Sequence, residues 1–329
     1  MRELLWAVGT VFFLLSFPVN AQHPDGLRGT LIVLNKQGHD ANFIDLASGE
    51  TLATLPTGRG PHELVVTDDG RWAVSTDYGG GNSLTVFDVK NLRVARTIDL
   101  KRYPRPHGIL LLPGEREVIV TSEASSTLVV VNFHTGEIRQ AIGTHSNSAH
   151  MVALSANGSF AFTSNGGSDS VSVVDVDGGR HVKSIDVPDS PEAITTNKSG
   201  SEIWVGSNTG EVVSVISSQD ESLLVQWSGF AWPYRILLTN DERYAVIPDL
   251  RKNTVRFFDA QSKSELGTLD LPGTRPEGVT LYSDDRTLFL SLSGRNKVLA
   301  IDIVARKVLG EYETGDSPDG IGYSKLVLR

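Results

Sequence analysis

The sequence predicts an all-β protein, a seven-bladed β-propeller built from four-stranded antiparallel blades. Three observations predict it. First, an apolar pair followed by a polar turn-former recurs as Phe43-Ile44-Asp45, Val86-Phe87-Asp88, Val130-Val131-Asn132, Val173-Val174-Asp175, Val215-Ile216-Ser217, Phe257-Phe258-Asp259 and Ala300-Ile301-Asp302, at spacings of 42 to 44 residues. Second, each interval holds four short β-branched stretches of alternating polarity, separated by Asn, Asp and Gly. Third, the two chain ends carry complementary parts of one unit, so a closed ring accounts for both.

The first 21 residues read as a secretory leader. Arg2 is the positive start, Leu4 to Phe17 is almost wholly apolar, and Val19-Asn20-Ala21 offers a cleavage site before Gln22. The apolar stretch is short for a membrane span, which needs about 20 residues. A periplasmic or secreted protein without stable membrane insertion is therefore expected, with residues 22–329 forming one propeller domain.

The first unit begins at its second strand, Thr30 to Asn35. The next shows the full pattern: Pro61 to Val66, a turn at Thr67-Asp68-Asp69-Gly70, Trp72 to Thr76, Leu84 to Asp88 and Val94 to Leu100. Turns at Ala156-Asn157-Gly158, Asn197-Lys198-Ser199-Gly200 and Ser283-Asp284-Asp285 mark later units. Pro318 to Tyr323 supplies the innermost strand that the first unit lacks, and no helix is needed. Asp45, Asp88, Asp175, Asp259 and Asp302 end third strands, where a carboxylate accepts N–H groups of the following turn, so they are assigned to structure. Trp72, Trp204 and Trp227 lie in or beside strands and are expected in the core.

The stretch Phe162-Thr163-Ser164-Asn165-Gly166-Gly167-Ser168-Asp169-Ser170-Val171-Ser172-Val173-Val174-Asp175 resembles the repeat of the YVTN-type β-propeller family, which includes YncE-like extracytoplasmic proteins. The resemblance runs through residues 30 to 324, with Ser217 replacing the usual Asp and Ala149 the usual Pro. It implies the propeller fold and an exported location, and leaves function open.

On one face of a propeller, two columns of residues surround the channel mouth. The residue after the Pro that opens each innermost strand is His62, His107, His150, Glu192, Tyr234, Glu277 or Asp319. The end of each second strand gives Lys36, Asp77, Glu123, Asn165, Asn208, Asp249 and Ser293. Three of the chain's eight histidines fall in one column, on consecutive blades. With Glu63, Asp77 and Glu123 nearby, they form an N/O ligand set suited to zinc or a similar divalent metal. His62, His107 and His150 are the candidate metal ligands, and Glu63 and Glu123 the candidate general bases.

The opposite sector carries Phe230-Ala231-Trp232-Pro233-Tyr234-Arg235. Trp232, Tyr234 and Arg235, with Asp77, Glu192, Asp249, Glu277 and Asp319, are candidate ligand-binding residues for an organic molecule bearing a carboxylate or phosphate. Trp232 packing between blades, with Arg235 paired to a neighbouring acid, is the structural alternative. Gly79-Gly80-Gly81 follows Asp77-Tyr78 and opens no helix, so it reads as a rim loop and not a phosphate cradle. His134, His145 and His181 fall on the surface by this register, whereas the loop of His39 opens on the mouth face.

Composition narrows the functions. With 39 acidic against 30 basic residues and a net charge of −9, no nucleic-acid footprint is expected. The chain has no Cys, so it has no thiol nucleophile and no disulfides, and stability must come from packing. Compact metal motifs and a Gly-x-Ser-x-Gly elbow are absent from the sequence. The primary reading is an exported monomer binding a small ligand, a divalent metal or both at the mouth, with room on that face for a protein partner. A metal-dependent hydrolase or lyase is the alternative. Pro106-His107-Gly108-Ile109 with Thr121-Ser122-Glu123 is similar to streptogramin-lyase-type propellers, and Pro61-His62-Glu63 is similar to lactonase-type ones. A protein-interaction scaffold is the third reading.

Overall fold

The computed structural model describes residues 23–328. The leader and its cleavage site lie outside these residues. Seven four-stranded antiparallel sheets are arranged as the repeat requires. Blade 1 comprises Thr30–Asn35, Asp40–Asp45 and Thr51–Pro56, completed on its inner side by Pro318–Ser324, which pairs with Thr30–Asn35. The ring is thus closed by hydrogen bonding between the two ends of the described chain. Blades 2 to 7 follow in sequence, their inner strands being Pro61–Val66, Pro106–Leu111, Ala149–Leu154, Pro191–Thr196, Leu237–Leu238 and Pro276–Leu281. The one helical element among the described residues is a single 3-10 turn, Val89–Asn91.

The core lies between blades. Second and third strands are almost completely buried, whereas outer strands alternate buried and exposed residues, as a half-solvated sheet edge demands. Aromatic rings fill the gaps: Phe43 meets Phe87 edge-on across the junction of blades 1 and 2, and Trp204 is fully buried beside Trp227. Trp72 and Trp227 are half-buried. The turn aspartates are positioned as the repeat predicts: Asp175 accepts the Gly178 N–H at 2.8 Å, Asp259 that of Ser262 at 2.7 Å, and Asp302 that of Ala305 at 2.9 Å.

One irregularity shapes the function. The register of the inner strand shifts by one residue just after its opening position, between Pro61 and Leu64, Pro106 and Ile109, Ala149 and Val152, Pro191 and Ile194, and Pro276 and Val279. The closing strand shifts likewise opposite Val33 and Asn35. In blade 6 the ladder is interrupted, leaving an isolated Pro233–Asp249 bridge before Leu237–Leu238. A bulge sets two residues against one and re-aims side chains. It lets His62 and Glu63, adjacent in sequence, both serve the channel.

Candidate functional site at the channel mouth

Side chains from all seven blades meet at one end of the channel, around a cavity of about 540 Å³ lined by Lys36, His62, Tyr78, His107, His150, Glu192, Trp232, Tyr234, Leu250, Arg251, Asn253, Arg275 and Glu277. The three imidazoles form a tight stack, with ring centroids 4.1 Å apart for His62 and His107 and 3.7 Å for His107 and His150.

Interblade hydrogen bonds fix this column. The Thr76 hydroxyl accepts the Glu63 N–H at 3.0 Å and donates to the His107 carbonyl of the next blade at 3.0 Å. Thr121 does the same between Gly108 N–H and the His150 carbonyl, Ser164 between Met151 N–H and the Glu192 carbonyl, and Ser291 between Gly278 N–H and the Asp319 carbonyl. Four blade junctions are clasped at the column that carries the site. Adjacent inner strands approach so closely that a Cβ on Gly320 would lie 2.2 Å from the His62 carbonyl oxygen. The signal was present in the sequence as a Ser or Thr at position 76, 121, 164 or 291.

The three histidines are not equivalent. Burial would lower the pKa of His150, but Glu123 and Glu192, each with an oxygen 3.7 Å from a ring nitrogen, reverse this and raise it to about 9. This favours the imidazolium form of His150 at neutral pH, so a metal at this ring would have to displace its proton. Burial, followed by the charges of Lys36, Arg235 and His150, holds His62 well below its usual value. Its Nδ1 lies 3.2 Å from Asp319 and 3.3 Å from Glu63, so the neutral ring carries its proton there. Burial and the neighbouring His150 charge also keep His107 neutral, and its fully buried Nδ1 has no hydrogen-bond partner among the described residues.

The second column divides by a one-residue offset. Asp77 and Asp249 pair with Pro61 and Pro233 and are fully buried, facing away from the cavity. Asp77 accepts from Ser83 at 2.6 Å and from Thr85, and burial raises its pKa to about 6 against those bonds. Asp249 accepts backbone N–H groups of Ala231, Trp232, Arg251 and Lys252 at 2.7 to 3.1 Å. Both therefore hold rim loops, not ligand. Lys36, Glu123, Asn208 and Ser293 come one residue later and turn inward; Tyr78 belongs with them. Its ring sits edge-on to His62 and His107, and its hydroxyl donates to Glu123 at 2.6 Å. Burial would raise the Glu123 pKa, but the bonds from His150 and Tyr78 lower it.

In the opposite sector, Asp319 accepts from Tyr234 at 3.2 Å and from Lys36. Lys36 also reaches Glu277 at 3.4 Å. Burial and the adjacent Asp319 charge raise the Glu277 pKa to about 7, against the opposing Lys36 charge. Arg235 binds Glu63, donates to the Tyr234 carbonyl at 2.6 Å and lies over the Tyr234 ring. Burial lowers its pKa to about 10, so it stays charged. Trp232 lines the cavity with Arg251 stacked 4.2 Å above its ring. His39 accepts the Gly60 N–H and is exposed at the rim.

A sequence model of the cytochrome D1 heme domain matches residues 31–233, which include all three stacked histidines, Tyr78, Glu123 and Glu192. The chain belongs to the cytochrome D1 heme domain family. Among solved structures, a functionally unknown protein from Desulfotomaculum acetoxidans DSM 771 is similar over 90% of this chain and 99% of its own, at 16% identity and a TM-score of 0.76. Dihydro-heme d1 dehydrogenase NirN in complex with DHE is similar over 92% of this chain and 77% of its own, at 16% identity and a TM-score of 0.67. At such identities these two likenesses speak for the fold alone. No curated protein matches the chain in a sequence comparison.

Proposed function

We propose that the mouth binds an anionic tetrapyrrole of the heme class, with His107 offering the nitrogen that meets the iron. The observation that carries this reading is the imidazole of His107, held neutral in the lining of the cavity and without a hydrogen-bond partner at its buried Nδ1 among the described residues. A neutral imidazole is an ordinary axial ligand of haem iron. The other residues suit the same group. Trp232 and Tyr78 present aromatic surface, while Arg251 and Arg275, exposed at the rim, supply cations for carboxylate arms.

Such an iron would supply an exchangeable coordination position and one-electron chemistry. The chain's own residues do the rest. His150, held charged by Glu123 and Glu192, sets a fixed positive charge beside His107. His62 holds a proton at Nδ1 against Asp319, and Glu277 is poised to take up or release one near neutral pH. The YVTN-type repeat, export to the periplasm and a small-molecule partner belong to the same reading. Among the described residues no helix is long and apolar enough to cross a membrane.

The second reading is a divalent metal at His62, Glu63 and His107, whose potential ligand atoms lie within 4.8 Å of one another. It is the weaker one, because Arg235 already neutralises Glu63. A hydrolase or lyase built on that metal would need Glu63 or Glu123 as base, yet each carboxylate is engaged by a cation. Titration with haemin, followed by the Soret band, tests the primary reading: a saturable one-to-one shift is expected. A flat titration with haemin, together with stoichiometric zinc uptake, would replace it with the second.

A further inference from the structure

Beneath the mouth, the channel is divided. His62, Tyr234, His150 and Glu192 face the mouth, whereas Glu63 and Arg235 line a second cavity of about 670 Å³ that continues toward the opposite end of the ring. We propose that this lower chamber is a separate binding site for a small, uncharged, apolar molecule.

The lining carries the inference. Leu64, Leu110, Met151, Leu237 and Val279, from five inner strands, project into the chamber and remain only half-buried. Partly wetted alkyl groups converging on one concave space are unfavourable to leave in water, and an apolar occupant removes that surface. Of the charged groups there, Glu63 and Arg235 pair with each other, the Arg235 Nε being left over among the described residues, and Asp68 is exposed at the outer rim. Glu63 is bound by Arg235, whose guanidinium also donates to the Tyr234 carbonyl. At the outer rim, both oxygens of Glu115 accept the Asp68 N–H, at 2.8 and 3.0 Å. A charged ligand entering the apolar section would lose hydration without a free counter-ion, whereas an uncharged one would not. The threonine hydroxyl of Thr195 adds one polar handle. The mouth, ringed by ion-paired acids and bases, and this chamber therefore differ in ligand chemistry along one axis.

The test is a fluorescence titration of the full protein with N-phenyl-1-naphthylamine, an uncharged apolar probe. One saturable site is expected. Leu110→Trp and the milder Met151→Phe should each weaken binding on the order of tenfold or more by filling the chamber. Val182→Trp, on an exposed outer strand, should not. Thermal melts of all variants separate blocked binding from misfolding, and the milder variant serves if the tryptophan one fails to fold. Saturating haemin should leave the probe bound. Absent saturation, unchanged affinity in a folded chamber variant, or displacement of the probe by haemin would each overturn the proposal. The last outcome would place the probe in the mouth and leave the tetrapyrrole reading standing.

Discussion

The hydroxyl of Thr76 in blade 2 donates to the carbonyl of His107 in blade 3 at 3.0 Å while accepting the N–H of Glu63 from its own blade. One side chain thus sets the bulge that aims Glu63 and ties down the backbone of the imidazole beside it. Both bonds are buried or half-buried, so their loss leaves polar groups without water.

Thr76→Val keeps the shape and removes both bonds. It should cost about 1–3 kcal/mol of stability, read as a lower denaturant midpoint at unchanged slope. It should also weaken haemin binding, because His107 loses its anchor. Full stability in this variant would mean that the clasp is geometric coincidence.

His150 makes stability depend on alkaline pH. Its folded pKa, about 9, lies above the ordinary 6.5. The stabilisation is therefore complete below about pH 6.5 and is lost as pH rises through 9. With this shift the upper limit is about 3 kcal/mol. Melting temperatures of the wild type should fall between pH 7 and 9.5 more steeply than those of His150→Gln, which should be less stable at pH 7.

Glu277 should tune the mouth near neutrality. Its folded pKa of about 7 lies above the usual carboxylate value of 4.5, so its contribution favours the protonated form, is fully present below pH 4.5 and is lost as pH rises through 7. Asp319, Lys36 and Ser293 face it directly. An anionic ligand should bind more tightly at pH 6 than at pH 8, by up to about tenfold if one charge is removed. Glu277→Gln should flatten that profile; an unchanged slope would assign the dependence to another group.

Asp249 should behave as a loop anchor. It accepts four backbone N–H groups around Trp232 and Arg251. Asp249→Ala should destabilise the fold by about 2–3 kcal/mol, and Asp249→Asn by less. Chemical denaturation compared across the two variants checks this ordering.

Much of this architecture can be read from the sequence because a propeller repeats its instructions. Seven turn motifs at near-constant spacing specify strands, blades and ring closure, and Pro61-His62 or Pro106-His107 marks the innermost column directly. The second column was less legible. Asp77 and Asp249 end strands, whereas Glu123 and Ser293 begin loops, and a one-residue offset reverses the face a side chain presents. That offset hid Tyr78 and gave Asp77 and Asp249 a ligand role that their geometry does not support. The charge of His150 depends on Glu123 and Glu192 converging from separate blades. The pairing of Glu63 with Arg235 spans even more of the chain. Neither leaves a local pattern, since each results from ring closure.

The most direct test of the tetrapyrrole reading is a haemin titration of His107→Gly with and without free imidazole. The account predicts that the variant loses the histidine-ligated Soret signature of the wild type and that added imidazole restores it by entering the vacated space. A wild-type spectrum in the variant without imidazole would contradict it.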